Sequence, residues 1–400
     1  MALSFPKPPP LLIGPDRHGR CVAVVDGLVV AEAPPDAVHL PCPEGEIAAG
    51  AVCAHTHLYS GLARYAMPPA QPAPENFLQI LERQWWKLDR ALDAESLRAG
   101  AMDYVARALL AGTTTLVDHH ESPNLIEGSL AILGETCQQL GMRALLCYGA
   151  SERNFGVAEG LRGLNECRRV PASPLLRGLV GLHASFTVSD ETIVAAGRLA
   201  NELDTVLHVH VAEDAADVAD ALKRGYPGPL ERLERLGALP CGSFLAHGVH
   251  LDPEQTRRTA ELGCWLIHNP RSNEGNRVGY AQNLSNSDRV ALGTDGWDAD
   301  MATEQQALFR LASTHGDNKV AERLGNGQRL IAERFGVTAQ PLQPGALGDV
   351  VVRHDGRVRH VVVGGQIVVT DGKLSTHDFD SLVTHAEKQA AQLWIRMADI

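Results

Sequence analysis

Between residues 51 and 293 short apolar runs alternate with longer stretches of helical periodicity. The runs cover residues 51–55, 114–118, 143–148, 178–183, 205–211, 243–247, 264–268 and 289–293. Each is too short for a helix, and near-continuous apolar character is what a strand covered on both faces shows. Strands that alternate with helices predict βα units in a parallel sheet. Eight such units are what a closed (β/α)8 TIM-like barrel needs, and in that fold the chemistry sits at the C-terminal ends of the strands.

The two ends of the chain are patterned differently. CVAVVDGLVVAEA (21–33) reads as a hairpin turning at Asp26-Gly27, and DVVVRHDGRVRHVVVGGQIVVTDG (349–372) repeats the style with turns at Asp355-Gly356 and Gly364-Gly365. Strands with one apolar face need a partner surface, so residues 1–50 and 340–380 are expected to form one composite β-sandwich domain beside a 51–339 barrel. Residues 381–400 carry an amphipathic terminal helix. The segment 59–96 is too long for a simple βα loop. Its PPAQPAP run and FLQILERQWWKLDRAL stretch predict a structured lid with a helix.

Charge narrows the partners. With 36 Lys and Arg against 48 Asp and Glu, the net charge of −12 gives no electrostatic reason to bind nucleic acid or an anionic membrane. The start MALSFPKPPP has no long apolar core, so neither a secretory signal nor a membrane span is expected there, and a cytoplasmic location is the default. The eight cysteines include no CxxC pair, which argues against a cysteine zinc site or a disulfide scaffold.

The polar residues collect at the strand ends: His55 and His57, Asp118 with His119 and His120, His183, His210 with Glu213, His247, His268 and Asp295. A doubly wound open sheet would call for a glycine-rich phosphate loop, and neither GxGxxG nor GxxxxGK[ST] occurs. In AHTH the two imidazoles share one face of a strand, an arrangement that suits a metal ion. In VLHVHVAE, His208 and His210 also share a face. His210 lies nearer the mouth and brings Glu213 with it. Three imidazoles and one carboxylate suit zinc or ferrous iron and leave room for an activated water. Other positions keep two readings: His119 and His120 as substrate contacts or structural hydrogen bonds, Trp85 and Trp86 as packing or as stacking platforms for a flat ring, Arg64 as a solvated loop residue or a polar contact.

The motifs AHTH, GTTTLVDHH, GLHASFTVSDET, HVHVAED, LAHGVHLD, HNPRSN, GTDG and PGALGDVVV, in this order, resemble the amidohydrolase superfamily, in its branch of metal-dependent aminohydrolases that includes guanine, adenosine-homologue and chlorotriazine deaminases. HLYSGLAR, ERQWWKLDRALD and VDHHESPN are most similar to the SsnA group of aminohydrolases. The resemblance implies that His55, His57, His210 and Asp295 bind one divalent metal per subunit, Zn or Fe. It gives Glu213 the role of proton shuttle. His247 would hydrogen-bond the attacking hydroxide with Asp295 as base, and His183 would contact substrate. A single metal is implied because strand four offers His183 where a bridging modified lysine would otherwise stand. Departures from the family pattern, in AAGAVCAHTH and in the region after Asp295, bear on the size of the pocket.

The implied activity is hydrolytic deamination of a planar nitrogen heterocycle, purine-like or pteridine-like. Ring opening of a cyclic amide in an oxidised purine or ureide, displacement of chloride, and a metal-retaining binding protein are the alternatives. Glu213 and His247 argue against the last, since a purely structural metal requires neither. A homodimer is the default assembly.

Overall fold

The computed structural model describes residues 7–400, and the reading of the proline-containing start falls partly on residues 1–6, outside the described residues. Five short strands come first: β1 (Leu11–Ile13), β2 (Val22–Val25), β3 (Leu28–Val30), β4 (Val38–Leu40) and β5 (Glu46–Ala49). Between β2 and β3, Asp26 and Gly27 take φ of 56° and 81°, the left-handed pair that a tight hairpin turn needs.

All eight predicted runs are strands: β6 (Ala51–Thr56), β7 (Thr113–His120), β8 (Arg143–Ala150) with the short outer strand β9 (Leu176–Gly178) beside it, β10 (Val180–Ala184), β11 (Leu207–Val211), β12 (Phe244–His247), β13 (Trp265–His268) and β14 (Val290–Leu292). They pair in parallel in the order β6-β7-β8-β10-β11-β12-β13-β14. The ring closes where the N–H groups of Thr294 and Asp295 donate to the His55 carbonyl at 2.9 and 3.0 Å. Gly293 permits this approach. A Cβ there would stand 2.8 Å from the His55 backbone and 2.5 Å from Asn269 Oδ1. Closure therefore brings Asp295, just past the last strand, against the histidines of the first.

The other sheets draw on both chain ends. β15 (Val350–His354), β16 (Arg357–Val363), β17 (Gln366–Thr370) and β18 (Lys373–Leu374) join β5 in a five-stranded antiparallel sheet. It faces the four-stranded sheet of β1 to β4, and Leu11, Ile13, Val24, Ile47, Val350 and Val362 fill the space between them. Asp349 ties this layer to the barrel: it accepts from Arg143 Nε at 2.7 Å and Nη2 at 2.8 Å, and from the Gly364 N–H at 2.8 Å, with both side chains buried. Asp349→Ala would leave the Arg143 charge buried and unpaired. We expect it to cost about 3–5 kcal/mol, read as a fall in the denaturant midpoint at unchanged slope.

The lid has the expected helical content. A 3-10 turn (Leu58–Arg64) follows His57, and a short helix (Phe77–Ile80) leads through a π-helical segment (Leu81–Trp85) into a second helix (Trp86–Ala91). The wider π turns set Trp85 and Trp86 over the barrel mouth, a use such insertions often have. The terminal helix (Phe379–Ala398) is capped by Asp378 and anchors the lid: Trp394 Nε1 donates to the Tyr65 carbonyl at 2.8 Å and Arg396 Nε to that of Ala91 at 2.9 Å.

Candidate active site

The ends of β6 and β11 and the turn after β14 bring four side chains together. Ligand atoms of His55, His57, His210 and Asp295 all lie within 4.8 Å of one another. His210 Nε2 is 3.2 Å from His55 Nε2 and 3.3 Å from His57 Nε2, and Asp295 Oδ1 is 2.7 Å from His57 Nε2 and 3.4 Å from His55 Nε2. The outer nitrogens explain the aim. His57 Nδ1 meets the His119 carbonyl at 2.5 Å and His210 Nδ1 the His183 carbonyl at 2.6 Å. A carbonyl only accepts, so each Nδ1 carries the proton and each Nε2 is free to present a lone pair inward. His55 Nδ1 pairs with His208 Nε2 at 2.9 Å, which gives His208 a place behind the cluster. Lone pairs converging at these distances beside a carboxylate repel one another unless a cation lies between them, and the donor set fits one divalent ion.

Burial shapes the charges. It pushes His55 down to about 3 against the pull of Asp295, and it holds His210 well below the usual histidine range, helped by the neighbouring rings. His57 goes the other way: burial opposes its charge, but the hydrogen bond and charge of Asp295 outweigh it and raise His57 to about 9. For Asp295 the burial penalty is outweighed by His55 and His57, which hold the carboxyl well below its usual range.

Beside the cluster stand Glu213 and His247. His247 Nδ1 donates to Asn273 Oδ1 at 2.8 Å, which leaves a buried Nε2 without a hydrogen-bond partner among the described residues, 3.6 Å from Glu213 Oε2. Burial, reinforced by the charge of Asp295, pushes the Glu213 carboxyl well above its ordinary range. Three non-glycine residues at this rim, Ala212, His247 and Asp295, take φ of 50°, 74° and 54°. Such backbone costs on the order of 1–3 kcal/mol per residue and collects at functional sites.

Residues 47–368 match the model of the Amidohydrolase family. The chain belongs to this family. A 5'-deoxyadenosine deaminase from Methanopyrus kandleri is 27% identical over 387 residues, 86% of each chain. An 8-oxoguanine deaminase from Pseudomonas aeruginosa is 26% identical over 94% of each. Among solved structures, an adenosine deaminase from Xanthomonas campestris with bound zinc has a TM-score of 0.81 at 22% identity, covering 97% of this chain and 99% of that one. An atrazine chlorohydrolase from Arthrobacter aurescens in complex with zinc has a TM-score of 0.73 at 20% identity, covering 95% and 100%. Both share the fold of this amidohydrolase.

The cavity of the amidohydrolase is lined by His57, His210, Glu213 and Asp295, by His183, and by both lid tryptophans. Three candidate substrate contacts lie elsewhere. His119 and His120 are fully buried below the cavity. The His119 ring fills the space that the missing side chain of Gly149 leaves and donates from Nε2 to the Leu182 carbonyl at 3.0 Å, while His120 Nε2 pairs with Ser122 Oγ at 2.7 Å. Arg64 is exposed at the end of its turn and does not line the cavity. The sequence reading missed Glu121, Ser272 and Asn276, which do. Ser272 Oγ donates to Asp295 Oδ2. Glu121 follows His120 directly, and an acidic residue at the mouth of a barrel strand was the signal available.

Proposed function

We propose that this amidohydrolase is a zinc-dependent aminohydrolase that removes an exocyclic amino group from a planar, purine-like heterocycle. The observation that carries the reading is the meeting of three imidazoles and Asp295 with Glu213 and the buried, unpartnered Nε2 of His247, where His57, His210, Glu213 and Asp295 face an aromatic-walled cavity. The relatives named for deamination of 5'-deoxyadenosine and 8-oxoguanine support the purine-like ring.

His55, His57, His210 and Asp295 would hold a divalent metal, which would supply Lewis acidity and make water acidic enough, with a pKa of roughly 7, to react at neutral pH. His247 Nε2 accepts a hydrogen bond from the attacking oxygen and orients it. Glu213 holds a proton that it gives to the ring nitrogen beside the reacting carbon, and it then passes the proton taken from the nucleophile to the departing ammonia. Trp85 and Trp86 hold the ring flat against the mouth. The lid limits access of bulk water. No helix among the described residues is long and apolar enough to cross a membrane. A cytoplasmic homodimer is part of the proposal, the dimer on the general preference for two-fold closure.

The test is ammonia release, read beside metal content, on aminopurines, purine nucleosides, pterins, triazines and cyclic ureides. Ammonia from one ring class with about one metal per chain is the expected result. Loss of ring absorbance without ammonia, or release of chloride from chlorotriazines alone, would replace deamination by ring opening or dehalogenation.

A further inference from the structure

Glu121 lines the cavity close to His57, His183 and His210. Its Oε2 accepts from Arg153 Nη2 at 2.8 Å, and the same nitrogen donates to Asp89 Oδ2 at 2.7 Å. Arg153 lies over the Trp86 ring, 4.7 Å from its centre, behind the lining rather than in it. Two carboxylates share one guanidinium, so the cation is spent within the protein and Glu121 stays an acceptor. Its Oε1 accepts no hydrogen bond among the described residues, and the nearest imidazole nitrogen, His119 Nδ1, is 3.6 Å away.

His183 adds a second acceptor. The Thr187 hydroxyl gives its one proton to the Ala184 carbonyl at 3.0 Å, so at His183 Nδ1, also 3.0 Å away, it accepts. The proton of His183 is therefore on Nδ1, and the bare Nε2 faces Glu121 Oε2 at 3.7 Å. Two buried acceptors stand side by side, both on the cavity lining, with no protein donor between them. Glu121, Glu213, Asp214, Asp217 and Asp295 all line this cavity, and among the described residues no lysine or arginine does.

Building on the deaminase reading, we infer that the substrate is an uncharged or cationic ring that presents paired N–H donors to Glu121 and His183, and that it carries no phosphate or carboxylate. A buried acceptor left without its donor costs the full desolvation of that group, so a ring with an ether oxygen at this edge is rejected where an amino group is held. Among the described residues the lining offers no lysine or arginine to pair with an anion, and the aromatic walls favour a flat donor-rich or cationic ring.

Binding to the zinc-loaded full chain is read by stopped-flow quenching of tryptophan fluorescence, since Trp85, Trp86 and Trp297 line the cavity. The probes are melamine against its dimethoxy analogue, 2,6-diaminopurine against 2-methoxyadenine, and adenosine against its 5'-monophosphate. In at least one amino-methoxy pair the amino ring should bind about tenfold or more tighter. Glu121→Gln should erase that preference with zinc content unchanged. His183→Asn, which keeps a donor for Thr187 and removes Nε2, should weaken the amino ring independently. Equal binding within both pairs, no binding by any probe, a preference that survives both variants, or a monophosphate bound as tightly as adenosine would overturn the inference. A ring bound with the expected preference that releases no ammonia defeats the deaminase reading instead.

Discussion

Asp295→Ala is expected to lose bound metal and turnover together, with metal affinity falling on the order of 100-fold or more. Even partners one layer behind metal ligands are worth about 10- to 100-fold, and Asp295 is the carboxylate of the set. Its Oδ1 sits 2.7 Å from His57 Nε2, Ser272 holds its Oδ2, and its backbone N–H closes the barrel. The same variant changes the proton balance. In the chelator-stripped wild type, Asp295 raises His57 from 6.5 to about 9, so near pH 7.5 metal must displace a proton from Nε2. Titration calorimetry in buffers of different ionisation heat should show about one proton released per metal in the wild type, fading as pH rises through about 9, and little release in the variant. The raised value also stabilises the stripped fold fully below about 6.5, a contribution lost as pH rises through about 9. Full metal occupancy in Asp295→Ala, or equal proton release, would remove Asp295 from the ligand set.

The barrel was legible because periodicity is a local signal. Each parallel strand is covered on both faces and so reads as one apolar run, from residues 51–55 to 289–293, and the observed strands begin or end within two residues of those runs. The histidine pairs were legible for the same reason, since i and i+2 share a strand face. What periodicity does not carry is the side on which a neighbouring strand leaves room. His119 and His120 end an apolar run as His55 does, yet Gly149 on β8 opens a slot that takes the His119 ring into the wall. Glu121, one residue further, lines the cavity with its carboxylate anchored by Arg153, 32 residues away in sequence. Both facts belong to long-range packing. The Asn273 bond that sets the tautomer of His247, across 26 residues, is of this kind too.

Glu213→Gln should keep the metal, keep the ring, and lose turnover by about 10²- to 10⁴-fold, the usual worth of a positioned acid or base. The substitution preserves shape and one hydrogen-bonding oxygen, and Glu213 is not among the four converging ligands. KM should therefore move little while kcat falls, the pattern of an interaction made only in the transition state. The pH profile separates this from a general loosening of the site. Burial and the charge of Asp295 push the Glu213 carboxyl up, so it enters the reaction as a proton donor. A donor works only while protonated, so the wild-type rate declines on the alkaline side as Glu213 ionises. Glutamine cannot ionise, and the residual rate of the variant should lack that alkaline limb. Unchanged turnover, or a slow variant that keeps the same limb, would assign the proton to another group, and His247, 3.6 Å away with its Nε2 unpartnered, is then the residue to substitute next.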